Sequence, residues 1–221
     1  MKLAEHLLEN IRVRSLYVIT DSRAQRGRSH LEVLAQALEG GADLVQLRDK
    51  DVSRDDLIAI GKGLKPLCKK WGALLIVNDR LEVAEAIDAD GVHIGQGDIP
   101  IEVARSLLGK KRVLGVSTHT LDQALTAEAA GADYIGVGPI FQTPTKPDAP
   151  PVGIRLISQV KGKIRIPFVA IGGINLSTLD SVLEAGAESV AVVRAVVAQE
   201  DIRSAARRLK EKLLEKEKSL E

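Results

Sequence analysis

The stretch that decides the fold is Gly41-Ala42-Asp43-Leu44-Val45-Gln46-Leu47-Arg48-Asp49-Lys50. Its first three residues suit the end of a helix and a tight turn, because glycine adopts the left-handed backbone conformation without steric cost. The next four form a mainly apolar run, typical of a strand buried on both faces. The last three are charged. The stretch therefore predicts a helix end, a buried strand and a polar loop in direct succession.

The same arrangement recurs along the chain. Small residues with an acid precede further apolar runs at 89–91, 131–133 and 186–188. Apolar runs predict eight strands, at 15–20, 43–48, 74–79, 91–95, 113–117, 134–138, 168–172 and 189–193. Helical periodicity predicts eight helices, at 30–39, 53–70, 80–88, 100–108, 121–130, 153–161, 177–185 and 200–217. This alternation is typical of an α/β fold of the (β/α)₈, or TIM-barrel, class. A doubly wound open sheet is the alternative, but no G-x-G-x-x-G motif opens the first helix.

Size and composition fit one enzyme domain. We expect a single barrel over residues 1–221, with a short N-terminal helix and a charged C-terminal helix. The net charge of +1 provides no strong field for nucleic acid or an anionic membrane. No apolar stretch approaches the roughly 20 residues that span a bilayer, and the single Cys68 excludes an internal disulfide. These features predict a cytoplasmic enzyme without nucleic-acid or membrane partners, and they are compatible with a homo-oligomer.

Two carboxylates directly follow apolar runs. Asp79 ends the run at 74–79, and Asp98 follows the run at 91–95. Because the carboxyl ends of barrel strands meet at one face, both side chains should face the same bowl. Mg²⁺ is commonly held by one or two carboxylates together with substrate phosphates and waters. Each residue alone suits a helix N-cap equally well, but the pair on neighbouring strands favours a metal site.

Cations and glycines gather at the same predicted face. Gln46, Arg48 and Lys50 alternate, so they share one side if the strand continues. The cations Arg48 and Lys50 suit either a phosphate or a strand-end salt bridge to Asp49 or Asp51. Lys146 lies in a long loop, residues 139–152, of a length more typical of a lid or binding loop than of a plain connector. Gly172-Gly173 follows the seventh strand, where barrels commonly bind phosphate.

The chain resembles the thiamine-phosphate synthase (thiamine-phosphate pyrophosphorylase) family. The resemblance covers most of the chain, from Tyr17 to Val193. It is carried by motifs that are specific in combination: Gln46-Leu47-Arg48-Asp49-Lys50, Asn78-Asp79-Arg80, His93-Ile94-Gly95-Gln96-Gly97-Asp98, Gly115-Val116-Ser117-Thr118-His119-Thr120, Gly138-Pro139-Ile140-Phe141, Thr143-Pro144-Thr145-Lys146 and Ile171-Gly172-Gly173-Ile174.

The resemblance implies a transferase of thiamine biosynthesis. It would condense a 4-amino-2-methylpyrimidine bearing a diphosphooxymethyl group with a thiazole phosphate, giving thiamine phosphate and pyrophosphate. The route implied is dissociative and Mg²⁺-assisted, and needs no general base. Negative charge gathers on the leaving pyrophosphate, so fixed cations and Mg²⁺ would stabilise the transition state more than the ground state.

The resemblance also implies roles for individual residues. The metal would be held by Asp79 and Asp98. The pyrimidine diphosphate would be held by Gln46, Arg48, Lys50, Asn78, Ser117 and Lys146. The thiazole phosphate would be held by Thr143, Thr145, Gly173, Val193 and Arg194. Leu47, Asp49 and Pro144 belong to the substrate-binding segments, and the catalytic set is Arg48, Lys50, Ser117 and Lys146.

Two positions depart from the family pattern. Arg194 stands where members usually carry serine, and Gly97 stands where many have an acid beside the second metal ligand. A related thiazole tautomerase is the closest alternative function, and His119 would be its proton carrier. A non-catalytic thiamine-phosphate-binding paralogue is a second alternative. A sugar-phosphate isomerase would rest on the fold alone.

Overall fold

Eight parallel strands close into a barrel in chain order. The computed structural model describes residues 14–218. The strands are β1 (Leu16–Ile19), β2 (Leu44–Leu47), β3 (Leu74–Asn78), β4 (Gly91–Ile94), β5 (Val113–Thr118), β6 (Tyr134–Val137), β7 (Phe168–Ile171) and β8 (Ser189–Val192). β8 pairs with β1, so the sheet has no edge. The predicted (β/α)₈ barrel is confirmed.

Helices follow the strands around the outside of the barrel. Over the described residues they are α1 (His30–Glu39), α2 (Arg54–Trp71), α3 (Leu81–Ala86), α4 (Ile101–Leu108), α5 (Leu121–Ala129), α6 (Arg155–Val160), α7 (Leu179–Glu184), α8 (Arg194–Val197) and α9 (Ile202–Lys218). α8 is an additional short helix that the sequence pattern did not predict. The expected N-terminal helix lies outside the described residues. Over the part of the chain that the structure covers, no helix combines the length and apolarity that a membrane crossing requires.

The core has two layers, because successive strand residues point to opposite faces of the sheet. One face fills the barrel with side chains such as Tyr17, Leu44, Ile76 and Tyr134. The other face packs against the helices and forms the larger apolar cluster. Polar positions that fall on the inner face therefore point into the barrel, where they meet at its carboxyl end.

Three carboxylates support the opposite, amino-terminal end of the barrel. Asp43 accepts the amide of Leu16 at 2.8 Å, and Asp90 accepts the amide of Leu75 at 2.8 Å. Each carboxylate also binds a helix lysine, at 2.8 Å from Lys210 and 2.7 Å from Lys65. Asp133 repeats the arrangement by accepting the amide of Leu114 at 2.7 Å and pairing with Arg105. The small-small-acid repeat in the sequence therefore ties alternate strands to their predecessors.

Candidate active site

A cavity of about 420 Å³ opens at the carboxyl ends of the strands. That volume lies in the range of ordinary small-molecule sites. It is lined by Gln46, Arg48, Asn78, Ser117, Thr143, Pro144, Thr145, Lys146, Gly173, Val193 and Arg194, all predicted as substrate-binding residues. The strand ends thus bring together side chains from positions far apart in the sequence.

A chain of hydrogen bonds crosses the floor of this cavity. Gln46 Nε2 donates to the Tyr17 hydroxyl at 2.6 Å, and that hydroxyl lies 3.1 Å from the Tyr134 hydroxyl. The Tyr134 hydroxyl lies 3.0 Å from His93 Nδ1, and His93 Nε2 lies 2.9 Å from Ser117 Oγ. If Gln46 donates to Tyr17, Tyr17 to Tyr134, Tyr134 to His93 and His93 to Ser117, every group in the chain has a partner. The hydroxyl hydrogen of Ser117 then remains available to the cavity.

Burial keeps this floor uncharged. It lowers the pKa of His93 to about 4, with a smaller lowering effect from Lys146 that Asp98 opposes. Burial also raises the pKa of Tyr17 and of Tyr134. His93 is therefore neutral at physiological pH and serves as a hydrogen-bonded member of the floor.

Charged groups cluster at the rim. Burial raises the pKa of Asp79 to about 6, and the neighbouring carboxyl group of Asp98 acts in the same direction. Partial burial, together with the neighbouring charges of Arg48 and Lys50, lowers the pKa of Lys146. Asp79 and Asp98 act in the opposite direction on Lys146. Three cations and two carboxylates thus interact over a short distance.

The two carboxylates fit a hard divalent cation and do not cap helices. α3 has Arg80 at its N-cap and α4 has Pro100, and neither cap makes a side-chain hydrogen bond. Asp98 Oδ2 instead accepts the amide of Gly95 at 2.6 Å. The helix-cap alternative is therefore wrong for both aspartates. Among the described residues no group of three or more His, Cys, Asp or Glu gathers. Two carboxylates are a ligand set that can hold Mg²⁺ together with phosphates and waters.

The long loop at 139–152 is held close to the end of β7. Ile140 N donates to the Ile171 carbonyl at 2.8 Å, and Phe141 N donates to the Gly172 carbonyl at 3.0 Å. Gly172 and Gly173 have φ of 101° and 66°, and a Cβ on Gly173 would lie 2.7 Å from Phe141 Cβ. Glycine is required here because the backbone is left-handed and the loop packs against it.

Thr145 presents an unused hydroxyl in this cavity. Its Oγ1 is buried and, among the side-chain atoms that the structure describes, is the one buried nitrogen or oxygen without a hydrogen-bond partner. A buried polar atom without a partner is costly, and a bound ligand atom is one way to satisfy it. Thr145 lies in the segment 143–146 that lines the cavity with Lys146. The loop therefore contributes a cation and a buried hydroxyl that has no partner within the protein.

Comparison with known proteins identifies the family of this chain. A family model described as thiamine monophosphate synthase matches residues 16–196. The chain belongs to the thiamine monophosphate synthase family. The thiamine-phosphate synthase of Chloroflexus aurantiacus is 51% identical over 196 residues, covering 88% of this chain and 90% of that protein. That of Roseiflexus sp. is 49% identical over 195 residues, covering 88% and 83%.

A solved structure agrees with the family assignment. The thiamine phosphate pyrophosphorylase from Pyrococcus furiosus is 40% identical, with a TM-score of 0.87 and coverage of 94% of this chain and 98% of that chain. The chain is accordingly an enzyme, a transferase of thiamine biosynthesis built on a TIM barrel.

Some residues predicted from the family motifs lie away from the cavity. Leu47 packs in the outer core and is 1% exposed, since it alternates with Gln46 on β2. The buried Asp49 pairs with His30. Lys50 follows the end of β2 and is exposed, yet its charge reaches both Asp79 and Lys146. Asp79 and Asp98 line an adjoining groove beside α3 and α4.

Sequence reasoning missed part of the cavity wall. Tyr17 and Tyr134 sit inside apolar runs and were assigned to strands without a site role, although both residues line the cavity. Gln199 follows α8, and its Nε2 donates to the Arg194 carbonyl at 3.1 Å. The available signal was the inward position of each tyrosine on its strand, which the period of two supplies. No comparable pattern pointed to Gln199.

Proposed function

We propose that this enzyme joins a pyrimidine diphosphate to a thiazole phosphate at the cavity described above, using Asp79 and Asp98 to hold Mg²⁺. The observation that carries the proposal is that Lys146, which lines the cavity with Arg48, lies near enough to Arg48, Lys50, Asp79 and Asp98 for their charges to act on it. A multiply charged leaving group with its divalent cation matches that arrangement of charges.

The neutral floor and the charged rim have separate tasks. Gln46 and Ser117 are fixed by the chain through Tyr17, Tyr134 and His93, and they orient the aminopyrimidine ring. The diphosphate lies toward the rim. The bond between the pyrimidine methylene carbon and the diphosphate oxygen breaks, and its electron pair goes to the diphosphate.

Fixed cations lower the energy of that step. Negative charge increases on the departing oxygen, so Arg48, Lys50 and Lys146 bind the transition state more strongly than the ground state. The thiazole nitrogen lone pair then forms the new carbon–nitrogen bond. Neither step requires proton abstraction, in agreement with the neutral His93.

The second substrate occupies the other side of the cavity. Thr143, Thr145, Gly173, Val193 and Arg194 line that side, and we assign the thiazole phosphate to them. The unpartnered Thr145 hydroxyl supports this assignment. Asn78 lines the cavity and directly precedes Asp79 in the chain, so it links the cavity to the proposed metal ligands.

The role proposed for the metal is electrostatic. Bound Mg²⁺ supplies electrostatic stabilisation of the diphosphate oxygens. Asp79 and Asp98 are the residues that hold it, since their carboxyl groups already face each other. The cytoplasmic location and the homo-oligomer stay predictions from the sequence.

The tautomerase alternative receives less support from the site. It would use a thiazole phosphate and a proton carrier, and His119 does line the cavity. It would leave Arg48, Lys50, Lys146 and both carboxylates without a task. His119 Nδ1 is also engaged by the Gly138 carbonyl, which leaves one ring nitrogen for chemistry.

Removal of a rim cation tests the proposal. We expect Lys146→Met or Arg48→Met to lower kcat by about a hundredfold, comparable to losing one donor to a developing anion. Steady-state formation of thiamine phosphate at saturating Mg²⁺ measures this effect. Lys65→Met, which breaks an ion pair at the opposite end of the barrel, serves as the control and should retain kcat. Near-normal turnover in both rim variants contradicts the proposal.

A further inference from the structure

A buried histidine lies beneath the loop that follows β1. His30 begins α1 and is 6% exposed. Its Nε2 lies 2.9 Å from Asp49 Oδ2, and its Nδ1 lies 2.9 Å from Gln25 Oε1. His30 is not among the residues that line the cavity, and no step proposed above uses it.

The orientation of the Gln25 amide is fixed by two other contacts. Its Oε1 accepts the amide of Asp21 at 3.1 Å, while its Nε2 donates to the Arg28 carbonyl at 3.0 Å. Exchanging the two ends would place donor against donor and acceptor against acceptor. The oxygen therefore faces His30, so both ring nitrogens of His30 face acceptors and each must carry a hydrogen.

We propose that His30 is a buried imidazolium, ion-paired with Asp49, and that this pair is a positioning unit for Arg48. The positioning half of the proposal rests on the function proposed for Arg48. Asp49 was expected to belong to a substrate-binding segment. In this proposal its carboxylate instead binds His30 and orients the neighbouring Arg48.

The pair reaches Arg48 through a closed ring of contacts. Arg48 Nη1 lies 3.5 Å from Asp21 Oδ2, and both side chains are largely buried. Asp21 is joined to Gln25, Gln25 to His30, and His30 to Asp49, which is bonded to Arg48 in the chain. The ring joins the loop after β1 to the end of β2, so a change in any member alters the direction of the Arg48 guanidinium.

The surroundings of Asp49 support a charged pair. Its Oδ1 accepts the amide of Asp51 at 2.9 Å. Burial by itself raises the pKa of Asp49, but the Asp51 amide, the Ser22 hydroxyl and His30 outweigh it and hold that pKa below the ordinary value. An ionised Asp49 completes the acceptor set around His30.

Nitrogen NMR of the histidine rings tests the charge state without reference to activity. In ¹⁵N-labelled protein at pH 8, the His30 signals are those that disappear in His30→Gln. We expect both ring nitrogens of His30 to be protonated in the native protein. In Asp49→Asn, which keeps the shape but removes the charge, one nitrogen should lose its proton. A neutral His30 ring in the native protein overturns the proposal.

A double-mutant cycle tests the positioning role. We expect His30→Gln to lower kcat, as Arg48→Met does, and to lower kcat/KM for the pyrimidine diphosphate by up to about a hundredfold, as for a small displacement of a positioned group. KM for the thiazole phosphate should not change. In an Arg48→Met background, His30→Gln should cause no further decrease in kcat/KM. The control is Lys65→Gln, which breaks the ion pair with Asp90 at the other end of the barrel and should leave both KM values unchanged.

The outcomes distinguish a failure of the function proposed for Arg48 from a failure of its positioning by His30. If Arg48→Met alone retains normal kinetics, the function proposed for Arg48 fails and its positioning by His30 fails with it, whatever the NMR result. If Arg48→Met lowers activity but His30→Gln lowers kcat/KM by the same factor in the native protein and in the Arg48→Met variant, only the positioning role of His30 is overturned. Asp49→Asn replaces His30→Gln in the cycle if the latter does not fold.

Discussion

At the scale of single residues, Asp79 holds a left-handed backbone conformation that aspartate and asparagine enter more readily than most other residues. Its φ is +58°, in the left-handed region that costs most residues about 1–2 kcal/mol. Its amide donates to the His93 carbonyl at 2.9 Å, which fixes this backbone at the end of β3. The carboxyl group is thereby held against Asp98. Strain and like charges at one residue are typical of a site kept for function.

Asp79→Asn should therefore stabilise the metal-free protein. Asparagine tolerates the left-handed backbone and removes one of two facing charges. Because the pKa of Asp79 is raised from 3.8 to about 6 in the folded chain, stability falls as the pH rises from 3.8 to about 6, and the full loss persists above that range. We expect a gain of about 1 kcal/mol at pH 8, raising Tm by about 2–4 °C, and loss of the Tm increase caused by Mg²⁺.

The pH dependence gives the prediction a second observable. Folded and unfolded chains both carry a protonated Asp79 below about its ordinary value of 3.8, so the gain should disappear there. Asp79→Ala removes the same charge but leaves a strained alanine, and it should gain less. Thermal unfolding with and without Mg²⁺ measures each case. A less stable Asp79→Asn that still responds to Mg²⁺ contradicts the account.

Residue-scale prediction succeeded where a period of two applied. The alternation of Gln46 and Arg48 on one side of β2 indicated the two positions that line the cavity. It did not extend to Lys50, because β2 ends at Leu47 and the chain turns away. The partner of Asp49 could not be predicted, since His30 lies on another element and reaches it through the folded chain.

At the scale of elements, the cavity floor requires β1, β2, β4, β5 and β6 to be in register. Gly115 on β5 makes room for it, because a Cβ there would contact the Tyr134 ring and His93 Nδ1. β5 pairs with β6 so that Gly115 faces Tyr134. Because Gly115 on β5 has no side chain, the Tyr134 hydroxyl on β6 can reach His93.

Gly115→Ala should disrupt the floor. The added methyl group displaces Tyr134 from His93, with an overpacking cost of about 1–3 kcal/mol. We expect a lower Tm and a raised KM for the pyrimidine diphosphate, measured by thermal unfolding and steady-state kinetics. Gly97→Ala is the matched control, because a Cβ at Gly97 meets nothing within 4 Å. Equal Tm values for the two variants would show that the floor is not tightly packed.

Element prediction was accurate for long segments and poor for short ones. α1 was predicted at its observed bounds, since Ser29 caps it and its buried residues recur at helical spacing. α8 spans four residues, too few for any periodicity to develop. The long loop at 139–152 was recognised by its length and prolines. Its attachment to Ile171 and Gly172 depends on backbone hydrogen bonds between distant segments.

At the scale of the whole molecule, the two ends of the barrel have different tasks. The carboxyl end holds the cavity, and the amino end holds the ion pairs of Asp43, Asp90 and Asp133. Each of these aspartates accepts a strand amide and binds a helix cation. The closed barrel and the repeat that builds it were predictable, because the same local pattern recurs at each alternate strand.

Asp133→Ala should lower stability without altering catalysis. It leaves the Leu114 amide without its acceptor and removes the carboxylate partner of Arg105, which keeps its bonds to the carbonyls of Gly109, Arg112 and Gly131. We expect a cost of about 2 kcal/mol after allowing for partial exposure. Tm should fall by about 4–8 °C while kcat and both KM values stay unchanged. Asp180→Ala, at the exposed pair with Lys212, should change Tm little. A changed KM in Asp133→Ala would contradict the division of tasks between the two ends.

The most direct test of the central claim is the reaction itself. Purified protein is supplied with the pyrimidine diphosphate and the thiazole phosphate, with Mg²⁺ or with a chelator, and thiamine phosphate and pyrophosphate are quantified. The account predicts equal amounts of both products, formed only with Mg²⁺ and strongly reduced in Asp79→Ala and Asp98→Ala. Absence of product from folded, Mg²⁺-supplied protein, or undiminished turnover in both aspartate variants, would contradict it.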